Sequence, residues 1–123
     1  MKHLTTFGRI LFAIPFGLLG LNHFLMYNYY LGMASSFIPG GGYSVIIVGI
    51  ALIAASISII AKKFIRISCL LLALLLLIFI LTIHVPGLFD KANFSIALIE
   101  LLKDSALLGG CLFIAGIYSV NSE

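Results

Sequence analysis

Charge is what this chain of 123 residues has least of: four Asp and Glu and seven Lys and Arg, 9% of the sequence in all. A soluble domain carries about 25% charged and about 45–50% apolar residues. Here 63% of the residues are hydrophobic and the mean hydropathy is +1.27. A chain this short has too little interior to hide that excess from water, so most soluble folds are excluded, and so is disorder. Two cysteines exclude a disulfide-built secreted scaffold, and a net charge of +3 from so few basic residues excludes a nucleic-acid binder. No Cys-x-x-Cys, haem-attachment pattern, glycine-rich phosphate loop, serine nucleophile constellation or zinc-ligand pair occurs, so no metal site is expected.

What the chain does have is apolar length. A bilayer core about 30 Å thick takes roughly 20 apolar residues in a helix. Four windows qualify, at 4–26, 43–61, 66–85 and 95–120. Strands are excluded because lipid leaves sheet edges unpaired and four segments cannot close a barrel. The expected fold is therefore all-α, an integral membrane four-helix bundle forming a single domain over residues 1–123. The first window is a full span if Arg9 snorkels its guanidinium to the near surface, and Pro15 with Gly17 and Gly20 is expected to bend it. Ile38-Pro39-Gly40-Gly41-Gly42 and Pro86-Gly87 are helix breakers in the first and third connections. The short Lys62–Arg66 link makes a tight hairpin of spans two and three.

Lys2, Arg9, Lys62, Lys63 and Arg66 fall on one side of this bundle, against Lys91 and Lys103 on the other. That bias predicts both termini in the cytoplasm, with the first span retained as an anchor because no small-residue cleavage site comes after it. Tyr27, Tyr29, Tyr30 and Tyr43 suit the outer interfacial belt and Tyr118 the inner one.

With this orientation Asn22, His23, His84, Glu100, Lys103 and Asp104 share one layer beneath the outer surface. Ionisable groups inside spans usually face the bundle or a cavity and pair with one another, so one polar cluster between spans one, three and four is expected. Glu100, Lys103 and Asp104 are spaced to line one helix face; alternatively span four enters the membrane only at Ser105 and the three sit among headgroups. His23 and His84 suit hydrogen bonding to a quinone or similar redox headgroup. The plainer reading, and the one the residues alone favour, is of interfacial histidines satisfied by water or a carboxylate. Haem between them is disfavoured, since it requires coaxial geometry and supporting partners. Cys69 and Cys111 lie at different depths among Leu, Ile and Ala and are expected to pack as small hydrophobes. Gly109, Gly110 and Gly116 in span four, and Gly49, Ala51, Ala54, Ala55 and Ser58 in span two, permit close helix approach.

Several stretches together resemble one family. Arg9-Ile10-Leu11, Gly20-Leu21-Asn22-His23-Phe24, Phe37-Ile38-Pro39, Lys62-Lys63 and Leu102-Lys103-Asp104-Ser105-Ala106-Leu107-Leu108-Gly109-Gly110 are similar to the DoxX-like family of small four-helix membrane proteins. The resemblance covers nearly the whole chain, and its most specific piece is the span-four segment. It implies an oxidase-associated subunit similar to the membrane subunit of a thiosulfate:quinone oxidoreductase, in a bacterial cytoplasmic membrane; distant animal relatives look like assembly factors for receptor channels. It carries no catalytic residue onto this sequence.

Two functions are thus expected to compete. One is a redox-associated subunit that receives a quinone headgroup at the outer cluster, with a redox partner protein or a second copy of itself. The other is a non-enzymatic scaffold or assembly factor docking another membrane protein through its Gly/Ala surfaces. A transporter is weaker, because neither an inverted repeat nor a continuous polar stripe is visible.

Overall fold

The structure, a computed structural model, describes residues 1–33 and 42–118. All the regular structure in them is helical: α1 (Lys2–Leu25), α2 (Tyr27–Met33), α3 (Gly42–Ile60), α4 (Ile65–Phe79), a π-helical turn (Ile80–His84), a short α5 (Val85–Gly87) and α6 (Phe94–Ile117). The expected exit at Phe37-Ile38-Pro39, the breaker residues 38–41 and the end of the fourth window at 119–120 lie outside the described residues. Three helical runs, Lys2–Leu25, Gly42–Ile60 and Ile65–Gly87, are long and apolar enough to cross a membrane. Their outward faces carry exposed Phe7, Leu18, Ile47, Leu71 and Leu74, side chains that suit a lipid bilayer rather than water.

Each break in the helices has a local cause. At Met26 the backbone leaves the helical region while its N–H still bonds the Asn22 carbonyl at 2.8 Å, and α2 restarts on the Met26 carbonyl. Between α3 and α4 the chain reverses through a left-handed C-terminal cap. The Lys63 N–H reaches back to the Ser58 carbonyl at 3.0 Å and the Lys62 N–H to Ile59 at 3.3 Å. Lys62 and Phe64 both take positive φ, 59° and 57°. In the next rod, Pro86 has no N–H to offer and its ring crowds the carbonyl four residues back, so the helix widens before it. The Val85 N–H bonds Ile80, five residues back. The breaker pair Pro86-Gly87 thus lies inside the end of the rod rather than in the connection after it.

The helices associate as two close pairs, α1 with α3 and α4 with α6, whereas α3 and α4 touch far less. The short link between spans two and three therefore does not make the tight hairpin expected of it. Its helices diverge and leave an apolar groove along Ala51, Ala54, Ala55, Ser58, Leu71 and Leu75. The close helix approach expected at Gly49 of the second span is made to α1. A Cβ on Gly20 would stand 2.7 Å from the Gly49 carbonyl oxygen, and one on Gly17 2.7 Å from Ser56 Oγ. Gly17 and Gly20 thus lie on the face of α1 that packs against α3.

Arg9 also departs from expectation. Its side chain is buried rather than snorkelled, and Nη1 donates to the carbonyls of Ile59 and, at 2.9 Å, Ile60. These carbonyls close α3, where helical hydrogen bonds run out and a cation is favoured. Nearby, Ser56 Oγ donates to the Ala13 carbonyl at 2.8 Å. The core cluster joins Ala13, Phe16, Leu52, Ile59 and Ile65 to Cys69, Leu72, Ala73, Leu76, Cys111 and Ala115. Both cysteines are buried there, and no disulfide occurs among the described residues.

Candidate functional site

At the end of the bundle away from Arg9 the helix pairs separate around a cavity of about 350 Å³. Phe16, Leu19, Val48, Leu52, Leu76, Phe79, Ile83 and Leu107 give it apolar walls. His23, Tyr29, Tyr30, Ser44, His84, Glu100, Lys103 and Asp104 supply its polar groups.

His84 owes its position to the π turn that it closes. One added residue in a turn rotates the later side chains by about 100° around the axis relative to a regular α-helix. The His84 side chain, 7% exposed, meets α6 with Nε2 2.7 Å from Asp104 Oδ2. Asp104 and Glu100 are four residues apart and so lie on one face of α6. Glu100 Oε1 accepts from Lys103 Nζ at 3.2 Å. The side chains form a gradient of exposure, 13% for Asp104, 37% for Glu100 and 61% for Lys103. Asp104 is thus turned into the bundle and Lys103 outward.

His23 enters the cavity from α1. Its Nδ1 lies 2.7 Å from the Leu19 carbonyl, which only accepts, so Nδ1 is the donor in this contact. The ring stacks on Tyr30 with centroids 3.8 Å apart and planes 17° from parallel, and Tyr29 meets Tyr30 edge-on at 5.4 Å. Asn22 Nδ2 donates to Tyr30 Oη at 3.1 Å.

Of the six residues the sequence singles out, His23, His84, Glu100, Lys103 and Asp104 line the cavity, while Asn22 acts behind it by holding Tyr30. His84 and Asp104 are paired directly, as are Glu100 and Lys103. Tyr29 and Tyr30, assigned by sequence to an interfacial belt, are part of the cavity wall. The available signal is their distance from His23: a short helix after Met26 folds the ring seven residues on back over the imidazole. Also unexpected is that His84, Glu100 and Asp104 bring donor atoms within 4.8 Å of one another. No short spacing motif encodes a group assembled across a π-helical turn and a separate helix.

On α6, Gly110 contacts Phe12 of α1, where an added Cβ would stand 3.0 Å from the ring, but Gly109 and Gly116 have nothing within 4 Å. The small-residue surface of α6 is therefore internal at one glycine and open at two. No family model, curated protein or solved structure matches this chain.

Proposed function

We propose that this chain is a DoxX-like, redox-associated subunit of a bacterial cytoplasmic membrane whose cavity takes the ring of a quinone-like amphipathic ligand. In this reading it is a four-helix bundle with both termini in the cytoplasm. α6 is its fourth span: its 24 residues rise about 36 Å, enough for a bilayer core. Its three charged residues are accommodated because Asp104 and Glu100 turn toward the cavity and Lys103 pairs with Glu100.

The observation that carries the proposal is the cavity's division into an apolar side and a polar end, the pattern of a site for an amphipathic molecule. Tyr30 and the flat face of His23 offer stacking for a ring. His84, oriented by the contact of its Nε2 with Asp104 Oδ2 at 2.7 Å, brings a hydrogen-bonding imidazole to the polar end.

The test uses the full chain purified in detergent. A bound quinone in its solvent extract, or a saturable rise in melting temperature with a short-chain ubiquinone analogue, is expected. At 100 times Kd the analogue adds about 2.7 kcal/mol of stability. His23→Ala is expected to reduce the rise. Absence of both a retained quinone and a melting shift overturns the proposal.

One observation favours the scaffold reading as well. Gly109 and Gly116 lie open on α6 beside exposed Leu112 and Phe113, a surface on which another membrane helix can approach closely. A partner that co-purifies with the wild type and is lost in Gly109→Leu/Gly116→Leu, with the analogue shift intact, would move the function there. Gly110→Leu does not make this test, because Gly110 also contacts Phe12.

A further inference from the structure

From the meeting of α6 with the π turn, we infer that His84, Glu100 and Asp104 bind a divalent transition metal ion of the zinc class. This goes beyond the ring-binding reading and does not depend on it, since the three donors are present whether or not a ring fills the cavity.

The donor set is one imidazole nitrogen and two carboxylates, a combination suited to zinc and its neighbours rather than to magnesium or calcium. The donor atoms already lie within 4.8 Å of one another, with His84 Nε2 and Asp104 Oδ2 at 2.7 Å. Tetrahedral zinc with bonds of about 2.1 Å holds its donors about 3.4 Å apart, so the required change is a parting of His84 from Asp104 and a swing of Glu100 inward. Glu100 is the partner free to move, because its side chain is 37% exposed. The cavity beside the three leaves room for a water or a ligand oxygen as the fourth donor.

Charge points the same way. Two carboxylates lie against a buried imidazole, and Lys103, mostly exposed, is the only lysine or arginine beside them on the cavity wall among the described residues. A dication satisfies both acids at once and competes with Lys103 for Glu100. This gives the proposal a sign that a merely structural cluster lacks: removing the lysine charge must tighten metal binding.

The experiment titrates chelator-stripped full-length protein in detergent with Zn²⁺ alone, without any quinone. One Zn²⁺ per chain is expected. His84→Ala and Asp104→Asn are expected to weaken it at least about 10-fold, the scale seen even for loss of an outer-shell partner. Lys103→Gln is expected to tighten it several-fold, and the Cys69→Ser/Cys111→Ser variant to leave it unchanged. Circular dichroism establishes that each variant is folded. Zinc-edge X-ray absorption of the wild type is expected to show nitrogen and oxygen donors. No saturable binding, sulfur donors, or affinity unmoved by His84→Ala or Lys103→Gln overturns the inference. Quinone-analogue melting on the same stripped protein separates the two readings: a shift without zinc binding removes only the metal site, and zinc binding without a shift removes only the ring site.

Discussion

Arg9 and His84, two buried groups near opposite ends of the bundle, are held in opposite ways. At one end Arg9 bonds to main chain, to the carbonyls of Ile59 and Ile60, and Ser56 likewise to that of Ala13. At the other end His84 meets Asp104 and Lys103 meets Glu100, side chain to side chain, beside an open volume. A side chain committed to backbone carbonyls closes a helix and joins two rods, and those bonds are not open to exchange. Paired side chains can trade one partner for a ligand at the cost of a rotamer change. The first arrangement stabilises the fold, and the second is available for chemistry.

The contrast is broken most directly at Arg9. Arg9→Met keeps most of the apolar stem but leaves the last carbonyls of α3 without their charged donor. Losses of this kind cost about 3 kcal/mol, and unfolding of the purified protein in detergent measures it. Quinone-analogue and Zn²⁺ affinities, referred to the folded fraction, are expected to stay within about twofold, well below the tenfold that 1.4 kcal/mol represents. Equal loss of binding and stability would mean that the two ends are not separable.

Next in size is the seam between α1 and α3. Gly20→Ala places a methyl 2.7 Å from the Gly49 carbonyl, a backbone atom that yields only if the helices part, and overpacking of this kind costs about 1–3 kcal/mol. Gly109→Ala, with nothing within 4 Å, is the matched control and is expected to be neutral or slightly stabilising. Melting temperatures of the two variants give the comparison directly.

Arg9 is also where the sequence was least legible, and the spans themselves where it was most so. The second and third windows, 43–61 and 66–85, agree closely with Gly42–Ile60 and Ile65–Gly87, because an uninterrupted apolar run in lipid has only one economical backbone. The layer shared by His23, His84, Glu100, Lys103 and Asp104 was legible for a similar reason. Depth along a helix is a count of residues at about 1.5 Å each. Direction around the helix is not such a count. It depends on the Met26 joint that folds Tyr30 onto His23 and on the widened turn that aims His84 at Asp104, and neither leaves a periodic trace. Arg9 misleads for a third reason: a basic residue near a span end has two low-energy fates, the surface and a neighbouring helix terminus, and only packing chooses between them.

A smaller effect of opposite sign is expected at the cavity end. Replacing a buried ionic pair by apolar residues of similar size is often neutral or stabilising. His84→Leu/Asp104→Leu is therefore expected to leave stability unchanged or raise it by about 1 kcal/mol, while removing Zn²⁺ binding and reducing the analogue shift. A loss of several kcal/mol in the same unfolding assay would make the pair part of the scaffold and erase the difference between the ends.

The smallest stability change and the sharpest geometric one belong to Pro86. Its missing N–H and its ring are the reason the preceding turn is widened, and Pro86→Ala removes both. The restored helix gains one hydrogen bond near the end of the rod, worth about 1 kcal/mol or less. Closing the turn to regular α geometry changes the direction in which His84 leaves the rod, by an amount on the order of the 100° that one helical residue represents. The protein is thus expected to melt within a few degrees of the wild type while Zn²⁺ affinity falls toward that of His84→Ala. Two-dimensional NMR of the labelled histidines is expected to show the His84 ring losing its Asp104 contact and the His23 ring, held by Leu19 and Tyr30, keeping its environment. If His84 keeps its contact with Asp104 in Pro86→Ala, α6 holds the imidazole through the pair itself, and the widened turn is a consequence of the site rather than its cause.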